Sequence, residues 1–155
     1  MKVGIRVNIK IIAVGNIKEG YINKGIAHFV KKLNAKFSVQ TIEISEARLS
    51  QNPSENEIEI ALNDEGNNIL SAITNQNFVV VCDILGKPLT STVFSRILKR
   101  ELYQNKKDLT FIIGGSHGLS KTVKKRANLS ISFGKMTFPH QLMRLILIEQ
   151  LSFII

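Results

Sequence analysis

The sequence predicts an α/β fold, a mostly parallel sheet with helices on both faces, over a single domain spanning residues 1–155. Three observations carry this. Short β-branched runs alternate with longer segments of helical spacing. Several of those runs are apolar at nearly every position, as strands covered on both faces are. No internal repeat or low-complexity linker divides the 155 residues.

Ile9-Lys-Ile-Ile-Ala-Val14 reads as a buried first strand closed by Gly15. From Tyr21 to Asn34, residues Ile22, Ile26, Phe29, Val30 and Leu33 fall on one helical face. Phe37 to Ile44 is β-branched enough for a second strand. After Asn52-Pro53, Ser54 followed by Glu57 forms a capping box that opens a helix over Glu55 to Thr74. The third strand is Phe78 to Asp83, and the third helix runs from Pro88 to Gln104. Leu109 to Ile113 is the fourth strand, Lys121 to Ala127 a short basic helix, Leu129 to Phe133 the fifth strand, and Gln141 to Ile155 the last helix. That helix is apolar on almost every side and must be covered all round, which predicts a homodimer interface; the alternative is a central core helix.

The net charge is +9. Residues 1–77 hold nine Lys/Arg against eight Asp/Glu, and residues 78–155 hold twelve against four, so nearly all the excess lies in the second half. That asymmetry points to a polyanionic partner such as RNA, with a solvated surface as the plain alternative. No apolar run is long enough to span a bilayer, and Met1 to Lys10 lacks the apolar core of a signal peptide, so a cytoplasmic protein is expected. The single cysteine, Cys82, excludes a disulfide framework, and no metal-ligand spacing appears.

In α/β sheets ligands bind beyond the carboxyl ends of strands. Three strand ends are distinctive: Cys82-Asp-Ile-Leu-Gly-Lys87, Ile113-Gly-Gly-Ser-His-Gly118, and Phe133-Gly-Lys-Met-Thr-Phe-Pro-His140. The second contains GGSHG, which matches the G-x-S-x-G elbow of serine hydrolases. The triad order fails: after Gly118 the only carboxylate is Glu149, and the only histidine, His140, precedes it. Ser116 and His117 are therefore assigned turn geometry. Gly114 and Gly115, lacking Cβ, are expected to let backbone approach a ligand closely. Pro139 is expected in the first turn of the last helix, whose start favours an anion.

The segments CDILGK, FIIGGSHGLS and SFGKMTFPHQLMRLILIEQL, in that order and spacing, resemble the ribosomal RNA large subunit methyltransferase H family of the SPOUT superfamily. NIKIIAVGNIKEGY and LNDEGNNIL are similar to its N-terminal and D/K-E-G segments, so the resemblance covers about residues 8–152. It implies an α/β domain with a C-terminal trefoil knot, a homodimer, and S-adenosylmethionine as methyl donor. It implies methylation of N3 of a pseudouridine in large-subunit ribosomal RNA within the assembled ribosome.

The cofactor contacts implied by the resemblance are Cys82, Gly114, Phe133, Gly134, Lys135, Met136, Thr137 and Phe138. His140 is the histidine candidate for substrate contact. Arg144, one turn later on the same face, is expected to meet phosphate or cross the dimer interface. Glu149 is expected to partner a buried basic group, His28 to lie at the surface or in packing, and the run Lys121, Lys124, Lys125, Arg126 to hold RNA. The chemistry requires loss of the N3 proton and alignment of the nitrogen, which the protein supplies by position and electrostatics, without a metal.

Family members continue past the last helix with a Tyr-Arg segment and a short basic tail. Here Ser152 and Phe153 stand where Tyr-Arg is expected, and the extra residues Met1 to Val7 suggest a different start. A non-catalytic or impaired RNA-binding relative is the alternative this implies. Ribose 2′-O methylation is a further one, although the asparagine and arginine pair of that branch is not found.

Overall fold

The computed structural model describes residues 7–155, so the reading of Met1 to Arg6 lies outside the described residues. Five strands and five helices alternate: β1 Val7–Val14, α1 Gly20–Asn34, β2 Ser38–Ile44, α2 Glu55–Ser71, β3 Asn77–Pro88, α3 Ser91–Lys99, β4 Asp108–Ile113, α4 Lys121–Arg126, β5 Leu129–Ser132 and α5 His140–Ile154. The strands form one sheet in the order β2-β1-β4-β3-β5, and every pairing is parallel.

The two-residue period of the strands distributes the core between the two faces. Ile9, Ile11 and Ala13 of β1 join Leu109, Phe111 and Ile113 of β4 in one cluster, covered by α1, α3 and α5. Ile12 and Val14 join Val79, Val81 and Ile112 in the other, covered by Ile69 of α2 and Val123 of α4. Strands of this kind are apolar at consecutive positions because both faces are buried.

Several boundaries differ from expectation. The third strand does not stop at Asp83. It bulges between Cys82 and Lys87 and resumes, so that Ile131 of β5 is registered with both residues. Gly86 makes this possible: a Cβ there would stand 2.6 Å from the Ile131 carbonyl carbon. Pro88 therefore ends a strand and does not begin a helix, and α3 starts at Ser91 behind Thr90, whose hydroxyl accepts from the Val93 amide at 3.2 Å. The predicted end of that helix is a π-helical turn over Arg100–Gln104. The second helix ends at Ser71, three residues short of Thr74. Ser54 does cap it, accepting from the Glu57 amide at 3.1 Å. The Glu57 carboxylate turns to the Ser54 and Ser50 hydroxyls, however, so the reciprocal half of the capping box is replaced. Pro139 occupies the cap position of α5, one residue ahead of its first turn.

α5 is buried along one face and half-buried elsewhere, apart from Phe153. Arg144, Leu147, Ile148, Leu151 and Ile154 are buried, and Leu145 packs on Gly25 of α1, where a Cβ would approach its Cδ1 to 2.9 Å. Phe153 remains 78% exposed. Among the described residues, no helix is long and apolar enough to cross a membrane.

Candidate active site

The carboxyl ends of β3, β4 and β5 deliver three loops to one cavity of about 590 Å³. Its walls include Cys82, Gly114, Phe133, Gly134, Met136, Thr137 and Phe138. Seven of the eight residues expected at the cofactor thus converge on one space. Lys135 is exposed and is not part of the lining. His140 lines the cavity, and Arg144 does not.

The loop after β4 is held from below. Gly118, at φ +85°, closes a turn in which its amide donates to the Gly115 carbonyl at 3.1 Å, leaving Ser116 and His117 exposed at the tip. This is the turn geometry expected of that pair. At the two preceding glycines, both in the cavity lining, the position of a Cβ is already occupied. A Cβ on Gly114 would lie 2.5 Å from the Gly118 carbonyl oxygen, and one on Gly115 would lie 2.8 Å from Glu46 Oε1. The Gly118 carbonyl and Glu46 stand where those Cβ atoms would be. Ser116 donates to Glu46 Oε1 from both its amide, at 3.2 Å, and its hydroxyl, at 3.0 Å.

Behind this loop stands the Glu65-Gly66 pair of α2. Glu65 accepts from the Ala47 amide at 2.8 Å and so ties down the chain after β2. Burial raises its carboxyl above the usual range, the Ala47 bond opposes that rise, Glu46 adds to it and His117 lowers it. Gly66 lets Ser120, the cap of α4, pack directly on α2. Two residues of LNDEGNNIL therefore anchor the chain after β2 and the start of α4.

On the β3 side, Asp83 accepts from the Leu85 amide at 3.1 Å and pairs with Lys124 at 3.1 Å, and both side chains line the cavity. Cys82 is desolvated enough that its thiol is pushed up to about 12, which makes it a packing group and not a nucleophile. The basic run is only partly free. Lys124 is spent on Asp83, and Arg126 donates to the carbonyls of Thr74 and Asn77. Lys121 and Lys125 remain exposed.

Arg144 is not presented to a phosphate. It is 5% exposed, with Nη1 2.6 Å from Glu43 Oε2 and Nη2 donating to the Gly15 carbonyl at 3.0 Å. The guanidinium thus fastens α5 to the ends of β1 and β2. Glu149 accepts from the Gln150 amide at 3.0 Å rather than from a basic group. His28 is exposed and meets Phe29 edge-on.

Sequence reasoning missed Asp83 and Glu46, and it gave Lys124 to RNA where the structure pairs it with Asp83 in the cavity lining. The rule that singled out three strand ends applies equally to β1 and β2, and it would have drawn attention to Gly15 and to Ser45-Glu46.

Known proteins resemble this chain over most of its length. The family described as "Predicted SPOUT methyltransferase" matches residues 7–152. Ribosomal RNA large subunit methyltransferase H 1 of Thermoanaerobacter pseudethanolicus is 49% identical over 143 residues, 92% of each chain. Ribosomal RNA large subunit methyltransferase H of Streptococcus pneumoniae is 46% identical over 143 residues, covering 92% of this chain and 90% of that one. Among solved structures, a methylase family protein of Neisseria gonorrhoeae superposes with a TM-score of 0.55 at 11% identity, covering 98% of this chain and 86% of that one; this likeness concerns the fold alone.

Proposed function

This chain belongs to the ribosomal RNA large subunit methyltransferase H family of SPOUT methyltransferases, and on that premise we propose that it methylates N3 of a pseudouridine in large-subunit ribosomal RNA, using S-adenosylmethionine, within the assembled ribosome. The observation that carries the reading is the convergence of the Cys82, Gly114 and Phe133–Phe138 loops on one cavity.

The residues present suit that cofactor. The volume of about 590 Å³ falls within the range of small-molecule sites, roughly 300–1,000 Å³. Ile113, Ile131, Phe133 and Met143 offer apolar walls to an adenine ring, and the glycine turn offers backbone amides and carbonyls. Asp83 and Lys124, paired with each other, form the charged part of the lining. When bound, S-adenosylmethionine supplies an electrophilic methyl carbon. The chain's part is to hold the acceptor nitrogen in line and to exclude water from it. Lys121, Lys125 and Lys135 supply phosphate affinity, while the shape of the ribosome supplies specificity.

The proposal includes a single domain, in which all ten elements share one sheet and its two flanking cores. It includes a C-terminal knot formed around the loops after β4 and β5, and a homodimer through the half-buried side of α5, where Phe153 is uncovered. It includes action in the cytoplasm, where ribosomes are. Relatives of 46–49% identity carry the name methyltransferase, and nothing observed favours a non-catalytic RNA-binding role.

Calorimetric titration with S-adenosylmethionine, alongside a methylation assay on ribosomes lacking the modification, tests the reading. Thr137→Arg is the control, because Thr137 is exposed and lines the cavity, so the change fills the site without entering the core. Binding and methylation by the wild type, both lost in the variant, are expected. A folded wild type that binds no S-adenosylmethionine would refute the reading.

A further inference from the structure

We infer that a second cavity, at the carboxyl ends of β1 and β2, receives the base to be methylated, and that Glu46 contacts the hydrogen on its ring nitrogen. The inference rests on the methyltransferase reading above and assigns the acceptor side of that site.

The cavity measures about 460 Å³, ample for a pyrimidine nucleotide, and its lining includes Gly15, Asn16, Lys18, Glu46, His140 and Gln141. It adjoins the first cavity through a shared wall. His140 lines both spaces, and the hydrogen-bonded pair Ser116 and Glu46 contributes one residue to each. The wall lies above the boundary between β1 and β4, where the chain's strand order reverses direction in the sheet.

Within the wall, Glu46 Oε1 is fixed by the two Ser116 donors, which leaves Oε2 for another partner. Gly15, at φ +90°, opens the space in front of it: a Cβ there would stand 3.7 Å from Glu46 Oε2 and 3.7 Å from His140 Nε2. The gap is therefore flanked by a carboxylate oxygen and an imidazole nitrogen. The other two carboxylates around the cavities each face a cation, Glu43 with Arg144 and Asp83 with Lys124, whereas Glu46 is held by a neutral serine.

These groups match one edge of a uracil-type ring, which presents carbonyl, N–H and carbonyl in a row. Glu46 Oε2 accepts from the N–H, and His140, Gln141 and Lys18 are donors for the carbonyls. A cytosine ring would turn a bare lone pair toward the carboxylate. In the chemical step the N–H bond breaks, an O–H bond forms on Glu46, and the electron pair stays on nitrogen for the methyl group. The carboxylic acid then returns its proton to water.

Glu46→Gln isolates the role, because the Gln carbonyl can still accept from Ser116 while its amide places a donor where Oε2 was. We expect S-adenosylmethionine affinity and melting temperature to stay near wild type, and the single-turnover rate on unmodified ribosomes to fall about 100-fold with little change in half-saturation. Independently, uridine 5′-monophosphate at millimolar concentration should shift the backbone amide resonances of Gly15, Ser45 and Glu46 more than cytidine 5′-monophosphate does. A Glu46→Gln rate within about threefold of wild type, equal or absent shifts from the two nucleotides, or loss of S-adenosylmethionine affinity in the variant would overturn the assignment. A wild type that neither binds S-adenosylmethionine nor methylates would instead sink the methyltransferase reading, so the two failures are distinguishable.

Discussion

Gly66→Ala sets two known effects against each other at a buried helical position. Alanine in place of a helix-interior glycine stabilises by about 1 kcal/mol. Here the added Cβ would overlap Ser120 Oγ and lie 3.2 Å from Ser120 Cβ and 3.3 Å from Val123 Cγ2. Ser120 is 4% exposed, and its hydroxyl caps α4 by accepting from the Val123 amide at 3.2 Å, so it has little room to turn aside. Overpacking of this kind costs roughly 1–3 kcal/mol, and a lost cap costs about 1 more. The net expectation is destabilisation by about 2 kcal/mol, or a fall in melting temperature of about 4–8 °C for a chain of this size. Urea denaturation of Gly66→Ala, Ser120→Ala and the double variant measures it. Removing the hydroxyl first should relieve most of the clash, so the alanine should cost markedly less in the Ser120→Ala background. A Gly66→Ala midpoint at or above wild type, or a cost unchanged by Ser120→Ala, would refute the packing argument.

Three further outcomes follow from the same geometry. Glu65 has a raised carboxyl pKa, so its contribution to stability is fully present below the usual value of 4.5 and is lost as pH rises through the folded-state value. Glu65→Gln, which can still accept from Ala47, should therefore gain on wild type in melting temperature between about pH 4 and pH 7; a constant gap would contradict the shift. Cys82, with its thiol pushed up to about 12, should react with a thiol-specific reagent far more slowly in the native protein than in guanidinium; equal rates would show that the thiol is accessible and ionisable. Arg144→Met should cost about 2–3 kcal/mol in a denaturation experiment, below the usual loss for a broken buried pair, because the Glu43 side chain is 47% exposed and can rehydrate.

The alternation of apolar runs and helical periods made the five strands and five helices legible, since burial on both faces leaves a signal at every strand position. Boundaries failed where backbone geometry, not hydrophobicity, decides. The bulge at Asp83–Gly86 depends on a glycine lying against the Ile131 backbone, a contact between residues far apart in sequence. Likewise, three of the five loops that matter were visible as unusual strand ends. The roles of their residues were less so. Gly114 and Gly115 are also required by the Gly118 carbonyl and Glu46, which stand where a Cβ would be. Arg144 looks like a phosphate anchor until Glu43 and the Gly15 carbonyl are found to hold it. A partner supplied from another strand end cannot be read from either segment alone.

β4 is the fourth strand to be made but the middle one of the sheet. Until Asp108–Ile113 has been synthesised, β1 and β3 have no common neighbour, and the pairing of Ile9 with Leu109 closes a loop of about a hundred residues. The growing chain therefore carries the β2-β1 pair and an unpaired, apolar β3, all with open edges, until more than two-thirds of it has left the ribosome. Such long-range parallel pairing folds slowly and exposes the chain to aggregation in the meantime. Yield during synthesis, and with it dependence on chaperones, is thus set by how late β4 arrives, separately from how stable the finished protein is.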